Sequence, residues 1–233
     1  MKSVGAIACG TNSRKPLGYE RIYRDRDLGA IAARWDSRAS EWDHALESPE
    51  CHLNEDDAYN RFIEQARAAI SRRRTFCKGQ GVVDVGCGTG LVLAQVVAAF
   101  KWGIGVDISP KMIRAARRKK IRKARFVVGD CFRLARLGPP AGAILSRGVL
   151  LSHYGREHAE AWLASALSSL VEGGFLMCDF LNLLARESSG HKARGKTFYG
   201  SWEVRQLARR VGFKKSRVLG KETERVLFLL LQR

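Results

Sequence analysis

Val82-Val83-Asp84-Val85-Gly86-Cys87-Gly88-Thr89-Gly90-Leu91 is the stretch that decides the fold. A short β-branched run ends beside an acid, glycines follow at alternate positions, and an apolar helical pattern then begins. That is a strand passing through a tight turn into a helix. Glycine permits left-handed backbone in the turn and lets the main chain approach a ligand closely. The spacing differs from the dinucleotide fingerprint G-x-G-x-x-G. Alone it is a weak signal, because many strand-to-helix turns carry one.

The surrounding sequence strengthens it. Between Gln65 and Arg156 there are 19 Lys or Arg but only three acids, Asp84, Asp107 and Asp130. Each stands at the end of a short apolar run: Val82-Val83, Gly103-Ile104-Gly105-Val106 and Phe126-Val127-Val128-Gly129. They are spaced by 23 and 23 residues, one strand-plus-helix unit each. A basic region that keeps carboxylates only at successive strand ends is holding them for a ligand with several hydrogen-bond donors.

Working outward, β-like runs at 82–85, 103–106, 125–128, 143–146 and 174–180 alternate with helical patterns at 89–100, 110–120 and 157–171. This alternation predicts a parallel sheet covered on both faces. A helix capped by Ser201 and ended by Gly212 follows. Strands at 213–219 and 224–231, joined by a short turn at Gly220, must be antiparallel. Upstream, Leu28, Ile31, Trp35, Ala39, Trp42 and Leu46 recur at helical spacing. Pro49 ends that pattern. Asn54 then reads as the N-cap of a helix with Glu55, Asp56 and Asp57 in its first turn, a stripe of Tyr59, Phe62, Ile63, Ala66 and Ile70, and Arg72, Arg73 and Arg74 in its last turn. The expected organisation is a loose arm at 1–19, a helical cap at 20–78 and an α/β domain at 79–233.

Composition sets limits. The chain has 233 residues, 45% of them hydrophobic, which is enough for one sizeable core. No apolar run matches a membrane span, so a cytoplasmic protein is expected. The six cysteines include no Cys-x-x-Cys pair, which argues against a zinc site or a disulfide framework; no metal is expected. Net charge is +18, yet residues 20–64 carry net −6. An acidic N-terminal segment lying near a basic body is expected. Lys111 to Arg125 holds nine bases and no acid. A solvated helix face is the default reading, a docking stripe for RNA or an acidic protein the alternative. Aromatics interleaved in sequence, which a single-strand binder uses for stacking, are missing from this run.

The pattern Asp84-x-Gly86-x-Gly88-x-Gly90, with Gly105-Val106-Asp107-Ile108-Ser109-Pro110-x-Met112, Phe126-Val127-Val128-Gly129-Asp130 and Gly173-Gly174-Phe175, resembles the class I S-adenosylmethionine-dependent methyltransferases. The resemblance runs from about Gly79 to the C-terminus. Trp35-Asp36 and Trp42-Asp43 stand where many members carry an aromatic-Asp pair. It implies a doubly wound seven-stranded sheet of order 3-2-1-4-5-7-6, with the last strand pair antiparallel and an N-terminal helical cap. It also implies S-adenosylmethionine as cofactor. Asp107 then accepts the ribose hydroxyls, and Asp130 the adenine amino group beside the backbone donors of Cys131 and Phe132. Ile108 and Met112 sandwich the adenine. Gly86, Cys87, Gly88 and Gly90 approach the amino-acid end, and Asp84 attracts its ammonium. Trp42 and Arg147 border the site.

His153 is the candidate general base, with packing as the other reading; Tyr154, Asp179, His191 and Tyr199 are weaker candidates. Arg147 can pair with an anionic acceptor or with a neighbouring loop. The basic segment from His191 to Lys196 falls where such enzymes place a substrate lid. No Asn-Pro-Pro-Tyr tetrapeptide or Lys-Asp-Lys-Glu set of nucleic-acid methylation is evident. The favoured function is methyl transfer to an O or N atom of a small molecule, anionic compounds among the candidates. An RNA methyltransferase is the alternative, and a non-catalytic cofactor-binding subunit a third reading. Oligomeric state stays open.

Overall fold

The computed structural model describes residues 23, 25–43, 57–148, 150–189 and 195–233. The expected arm at 1–19, Asn54 and His191 lie outside these residues. The sheet strands are β1 (Gly81–Val85), β2 (Trp102–Asp107), β3 (Ala124–Val128), β4 (Ala141–Ser146), β5 (Leu170–Asn182), β6 (Phe198–Tyr199), β7 (Lys215–Leu219) and β8 (Val226–Gln232). Their order is β3-β2-β1-β4-β5-β8-β7, with β6 paired to β5 off this path. The pairs among β1 to β4 and β4 to β5 are parallel, while β5–β8 and β7–β8 are antiparallel.

Among the described residues the sheet therefore has eight strands. The addition is β6, two residues long, where Leu181 and Asn182 at the end of β5 pair with Phe198 and Tyr199. A two-residue strand has no periodicity to reveal it. Leaving β6 aside, the strand order is the one the resemblance implies.

Helices cover both faces. On one side lie α2 (Ala58–Ser71), α3 (Arg74–Gly79), α4 (Leu91–Val96) and α5 (Pro110–Arg118). On the other lie α7 (Arg156–Ser168) and α9 (Ser201–Val211), and α8 (Leu183–Ser189) follows β5 between them in the chain. Strand β8 shows why both faces must be covered: Val226, Phe228 and Leu230 join the first core, and Leu227, Leu229 and Leu231 the second. Alternate side chains point to opposite faces, so an unbroken apolar run belongs to a strand buried on both sides. The stripe Phe62, Ile63, Ala66 and Ile70 of α2 is buried in the first core, as is Cys77 of α3. Residues 58–79 thus pack on the sheet itself. The separate small cluster of Tyr23, Ile31 and Tyr154, with Trp35 and Ile108 against it, belongs to α1 (Leu28–Asp36) and its approach.

Several boundaries differ from expectation. Helix α2 is capped by Asp57, held at φ 53°, and Arg72 is already its C-cap. Strand β5 begins at Leu170, so Leu170 and Val171 belong to the sheet and not to the preceding helix. Their apolar character suits either element, and only the pairing Ala141↔Leu170 decides. Gly200, not Ser201, is the N-cap of α9, and the Glu203 carboxylate accepts from the Gly200 N–H at 3.4 Å. Gly212 ends α9 in left-handed backbone at φ 111°.

Candidate active site

The pocket of interest lies at the C-terminal ends of β1, β2, β3 and β4, where doubly wound sheets bind ligands. It encloses about 740 Å³, part of it open to solvent. Three loops from the sheet form its floor, and Tyr23 with residues 25–43 forms its cover.

The glycine turn after β1 is shaped by β2. The N–H groups of Gly86 and Cys87 both donate to the Val106 carbonyl, at 2.8 and 3.0 Å, and Gly90 N–H donates to Cys87 O at 2.8 Å. Gly86, Gly88 and Gly90 sit at φ 71°, 52° and 85°, where a Cβ is unfavourable. Gly88 also needs the space: a Cβ there would stand 2.8 Å from the Trp42 indole nitrogen.

Asp107 closes the end of β2 and is 9% exposed. Its Oδ2 accepts from Gly88 N–H and its Oδ1 from Ser109 N–H, both at 2.8 Å. These bonds aim the carboxylate and leave each oxygen a further lone pair for a ligand hydroxyl. Burial raises its pKa, opposed by those same N–H donors. Asp130 ends the β3 segment and caps the short 3-10 turn Cys131–Arg136, accepting from Phe132 N–H at 3.0 Å. It also receives the guanidinium of Arg26 at 3.2 Å. That guanidinium lies 3.7 Å from the centre of the Phe132 ring.

Asp84 differs. It is 1% exposed and does not line the pocket. Neither carboxylate oxygen has a hydrogen-bond partner in good geometry among the described residues. The Leu93 N–H is near enough only to oppose slightly the effect of burial, which pushes the pKa up to about 7. A buried carboxylate without a partner is costly, and such groups concentrate at functional sites. An adjacent cationic ligand offsets that cost, so the floor suits a ligand bearing an ammonium at one end and hydroxyls further along.

The folded protein holds the Asp84 proton between about pH 4 and 7, while the unfolded chain releases it near the ordinary aspartate value of 3.8. Stability therefore falls as pH rises through that window, by on the order of 4 kcal/mol from this group. Asp84→Asn removes this component, so its unfolding midpoint in ligand-free protein drops less between pH 4 and 7 than the parent's. Thermal melts across pH test this; an unchanged slope would refute the raised pKa.

The cover is tied to each of the three loops. Arg26 reaches Asp130, as above. Asp36, at the end of α1, accepts from Ser109 Oγ and, at 2.9 Å, from Lys111 N–H. Burial pulls the Asp36 pKa up, but the Ser109 and Lys111 hydrogen bonds with the Lys111 and Arg114 charges outweigh it and hold the carboxyl below its usual range. Asp43 accepts from Thr89 Oγ1 and pairs with Lys119 at 2.6 Å. Each Asp follows a tryptophan that lines the pocket, Trp35 and Trp42, whose rings meet edge to face at 5.5 Å. The Trp35 indole N–H donates to the Tyr23 hydroxyl at 2.8 Å. Burial pushes the Tyr23 pKa up to about 12.

Of the residues singled out from sequence, Trp42, Gly86, Gly88, Asp107, Ile108, Met112, Asp130, Cys131, Arg147 and His153 line this pocket. Cys87 and Gly90 do not. Cys87 faces the first core, where burial raises its thiol pKa strongly. Gly90 is the N-cap of α4, and a Cβ on it would meet the Phe126 ring at 2.8 Å. Tyr154 lines the pocket, while the Tyr199 hydroxyl donates to Leu151 O at 3.1 Å in the interior. Asp179 accepts weakly from Gly148 N–H at 3.3 Å. Tyr23 and Arg26 were not found from sequence, and Ile31 was read only as part of an apolar stripe. The helical spacing around them indicates a buried stripe but not what it covers.

His153, at the end of α6 (Leu150–His153), is 9% exposed. Its ring lies 5.2 Å from that of Tyr23 and 5.7 Å from that of Trp35, centre to centre. Tyr23 and His153 are also shared with a second, more open and more polar pocket, edged by Arg156, Glu157, Lys196 and Thr197. Thr197 is anchored there: its N–H donates to Ser152 O at 2.9 Å and its hydroxyl to Tyr154 O at 2.8 Å. This brings the segment after β5 beside His153.

Known proteins agree with this architecture. Residues 82–174 match a family described as a methyltransferase domain. No curated protein matches the sequence. Among solved structures, magnesium protoporphyrin IX methyltransferase from Synechocystis, with bound SAH, is 17% identical, with TM-score 0.69 over 88% of this chain and 99% of that one. The DhpI–SAM–HEP complex is 19% identical, with TM-score 0.65 over 88% and 97%. A methyltransferase from Clostridium acetobutylicum is 12% identical, with TM-score 0.61 over 75% and 91%. Residues 82–174 thus match a methyltransferase domain, and the whole sheet, with the glycine turn and the strand-end acids in place, has the fold of these methyltransferases.

Proposed function

We propose that this enzyme transfers a methyl group from S-adenosylmethionine to an oxygen or nitrogen of a small molecule. The observation that carries the reading is the pair of adjoining pockets with a common wall of Tyr23 and His153. One is enclosed and floored by the strand-end loops; the other is open and polar. When bound, the cofactor supplies a methyl group on a positively charged sulfur, already activated for displacement.

The chain's own residues do the rest. Asp107 holds the ribose hydroxyls, and Asp130 shares its carboxylate between Arg26 and the adenine amino group. Ile108 and Met112 flank the base, and Gly86 and Gly88 admit the amino-acid end. Asp84 sets a negative charge beneath the ammonium. The aromatic cover of Trp35, Trp42 and Tyr23 excludes water. Holding an acceptor in line with the methyl group is most of the catalytic work. His153 takes the acceptor's proton on a ring nitrogen as the new bond forms. Lys196 on the open pocket favours an anionic acceptor, while Arg156 beside it is held by the Glu203 carboxylate. The solved relatives named above include a porphyrin methyltransferase, which is in keeping with a small-molecule acceptor.

An RNA acceptor is the second reading, favoured by the net charge of +18. Cofactor labelled in its methyl group, incubated with the protein and a host lysate, separates the two. Label in the metabolite fraction is expected; label confined to RNA overturns the small-molecule assignment.

A further inference from the structure

Apart from Met112, which lines the pocket, the run from Lys111 to Arg125 meets the site only through its contacts with the cover. Four of its side chains are occupied internally. Lys119 pairs with Asp43, Arg117 donates to Phe126 O at 2.7 Å, Lys123 to Phe100 O at 3.0 Å and Arg125 to Leu137 O at 2.9 Å. The others, Lys111, Arg114, Arg118, Lys120 and Arg122, are exposed and make no side-chain hydrogen bond or ion pair among the described residues. Two lysines of the turn into β3, Lys120 and Lys123, are held at φ 50° and 67°. Glycine or asparagine adopts that backbone at lower cost, yet the turn carries cations.

The sequence shows no aromatic within this run, but the sheet supplies one. Parallel pairing of β2 with β3 sets Gly103 opposite Ala124 and Ile104 opposite Arg125. That register brings Trp102, at the start of β2, beside Lys123. Trp102, Lys123, Arg125 and Pro139 edge a shallow, mostly apolar hollow of about 590 Å³ including open space. The indole is half-buried, and its six-membered ring rests on Gly81, where a Cβ would come within 2.2 Å of it. A ring supported from below, with Lys123 and Arg125 at the edge of its hollow and Lys120 and Arg122 exposed in the turn before β3, suits a single-stranded nucleic acid: each base offers a π-face, and each nucleotide brings a phosphate.

We propose that this edge of the sheet binds single-stranded nucleic acid, with a base in the hollow against Trp102 and Pro139 and the phosphates along Lys123 and Arg125 and on to Lys120 and Arg122 in the turn that leads into β3. A duplex keeps its base faces covered, and an acidic peptide matches only the charge. The surface lies at the opposite end of β2 from Asp107, about 17 Å away along the strand. It is therefore a docking site distinct from the pocket, and it does not depend on which acceptor is methylated.

The test is fluorescence anisotropy with the full chain and labelled oligouridylate and oligothymidylate of about 12 nucleotides, a length within the range single-strand sites cover. Binding of either supports the site and identifies RNA or DNA as its source. Binding of neither at low salt overturns it. In Lys120→Gln/Arg122→Gln, the salt dependence, log K against log[salt], becomes shallower by about 1.4, or about 0.7 for each cation removed. Trp102→Leu weakens binding by about five- to hundredfold, and Trp102→Phe, which keeps a ring on Gly81, retains most of it. Cofactor affinity, measured in parallel, stays at the parent value in all three variants if they are folded. Equal affinity for the oligonucleotides in the parent and the lysine–arginine variant overturns the proposal. So does competition by polyglutamate as effective as that by unlabelled oligonucleotide.

Discussion

Asp107→Ala lowers affinity for S-adenosylmethionine by roughly tenfold to a hundredfold, because hydrogen bonds to a charged carboxylate contribute about 1.5–3 kcal/mol. The loss has two sources. The ribose hydroxyls lose their acceptor, and the Gly88 and Ser109 N–H groups lose the carboxylate that holds both loops at 2.8 Å. Asp107→Asn distinguishes them. It keeps one carbonyl oxygen for a loop N–H but turns the other position into a donor, so it rescues fold stability better than it rescues affinity. Calorimetric titration with the cofactor and with S-adenosylhomocysteine measures both. Affinity unchanged in Asp107→Ala removes Asp107 from the site.

His153→Ala leaves cofactor affinity near the parent value and lowers turnover about 10²- to 10⁴-fold, the usual contribution of a positioned general base. The distinction matters because His153 also packs against Tyr23 and Trp35. A purely structural histidine, when removed, loosens the cover and weakens cofactor binding while sparing the rate at saturation. His153→Gln, which is polar but cannot act as a base near neutrality, should be as slow as the alanine variant. Turnover within threefold of the parent in both variants, with saturating cofactor, assigns the proton to solvent and leaves His153 a wall residue.

Much of the frame was readable before any coordinates. The strand-turn-helix at 82–91, the repeated apolar runs ending in Asp84, Asp107 and Asp130, and the acid-poor stretches between them are local patterns. They are visible because period-2 and period-3.6 apolar spacing act over a few residues. Boundaries were less readable where a residue suits two elements. Leu170 and Val171 continue a helical stripe and also fit a buried strand; pairing with β4 placed them in β5. Strand β6 has two residues and therefore no period.

The site divides in the same way. Glycines and acids on the sheet loops are specified by their spacing from the strands. The cover is not, because its contacts join residues far apart in the chain. Arg26 reaches Asp130, Asp36 reaches Ser109, and Asp43 reaches Thr89. Apolar spacing marked α1 as having a buried face, but only packing shows that Tyr23, Trp35 and Trp42 bury it over three loops at once. Trp102 beside Lys123 is the same kind of fact, a product of strand register. The α/β alternation, the glycine turn and the acids at the strand ends follow from local geometry and the chemistry of single residues, and are legible in the chain. The wall the two pockets share, their cover, and the place where positive charge meets an aromatic ring depend on which distant surfaces fold against one another, and appear only in the folded molecule.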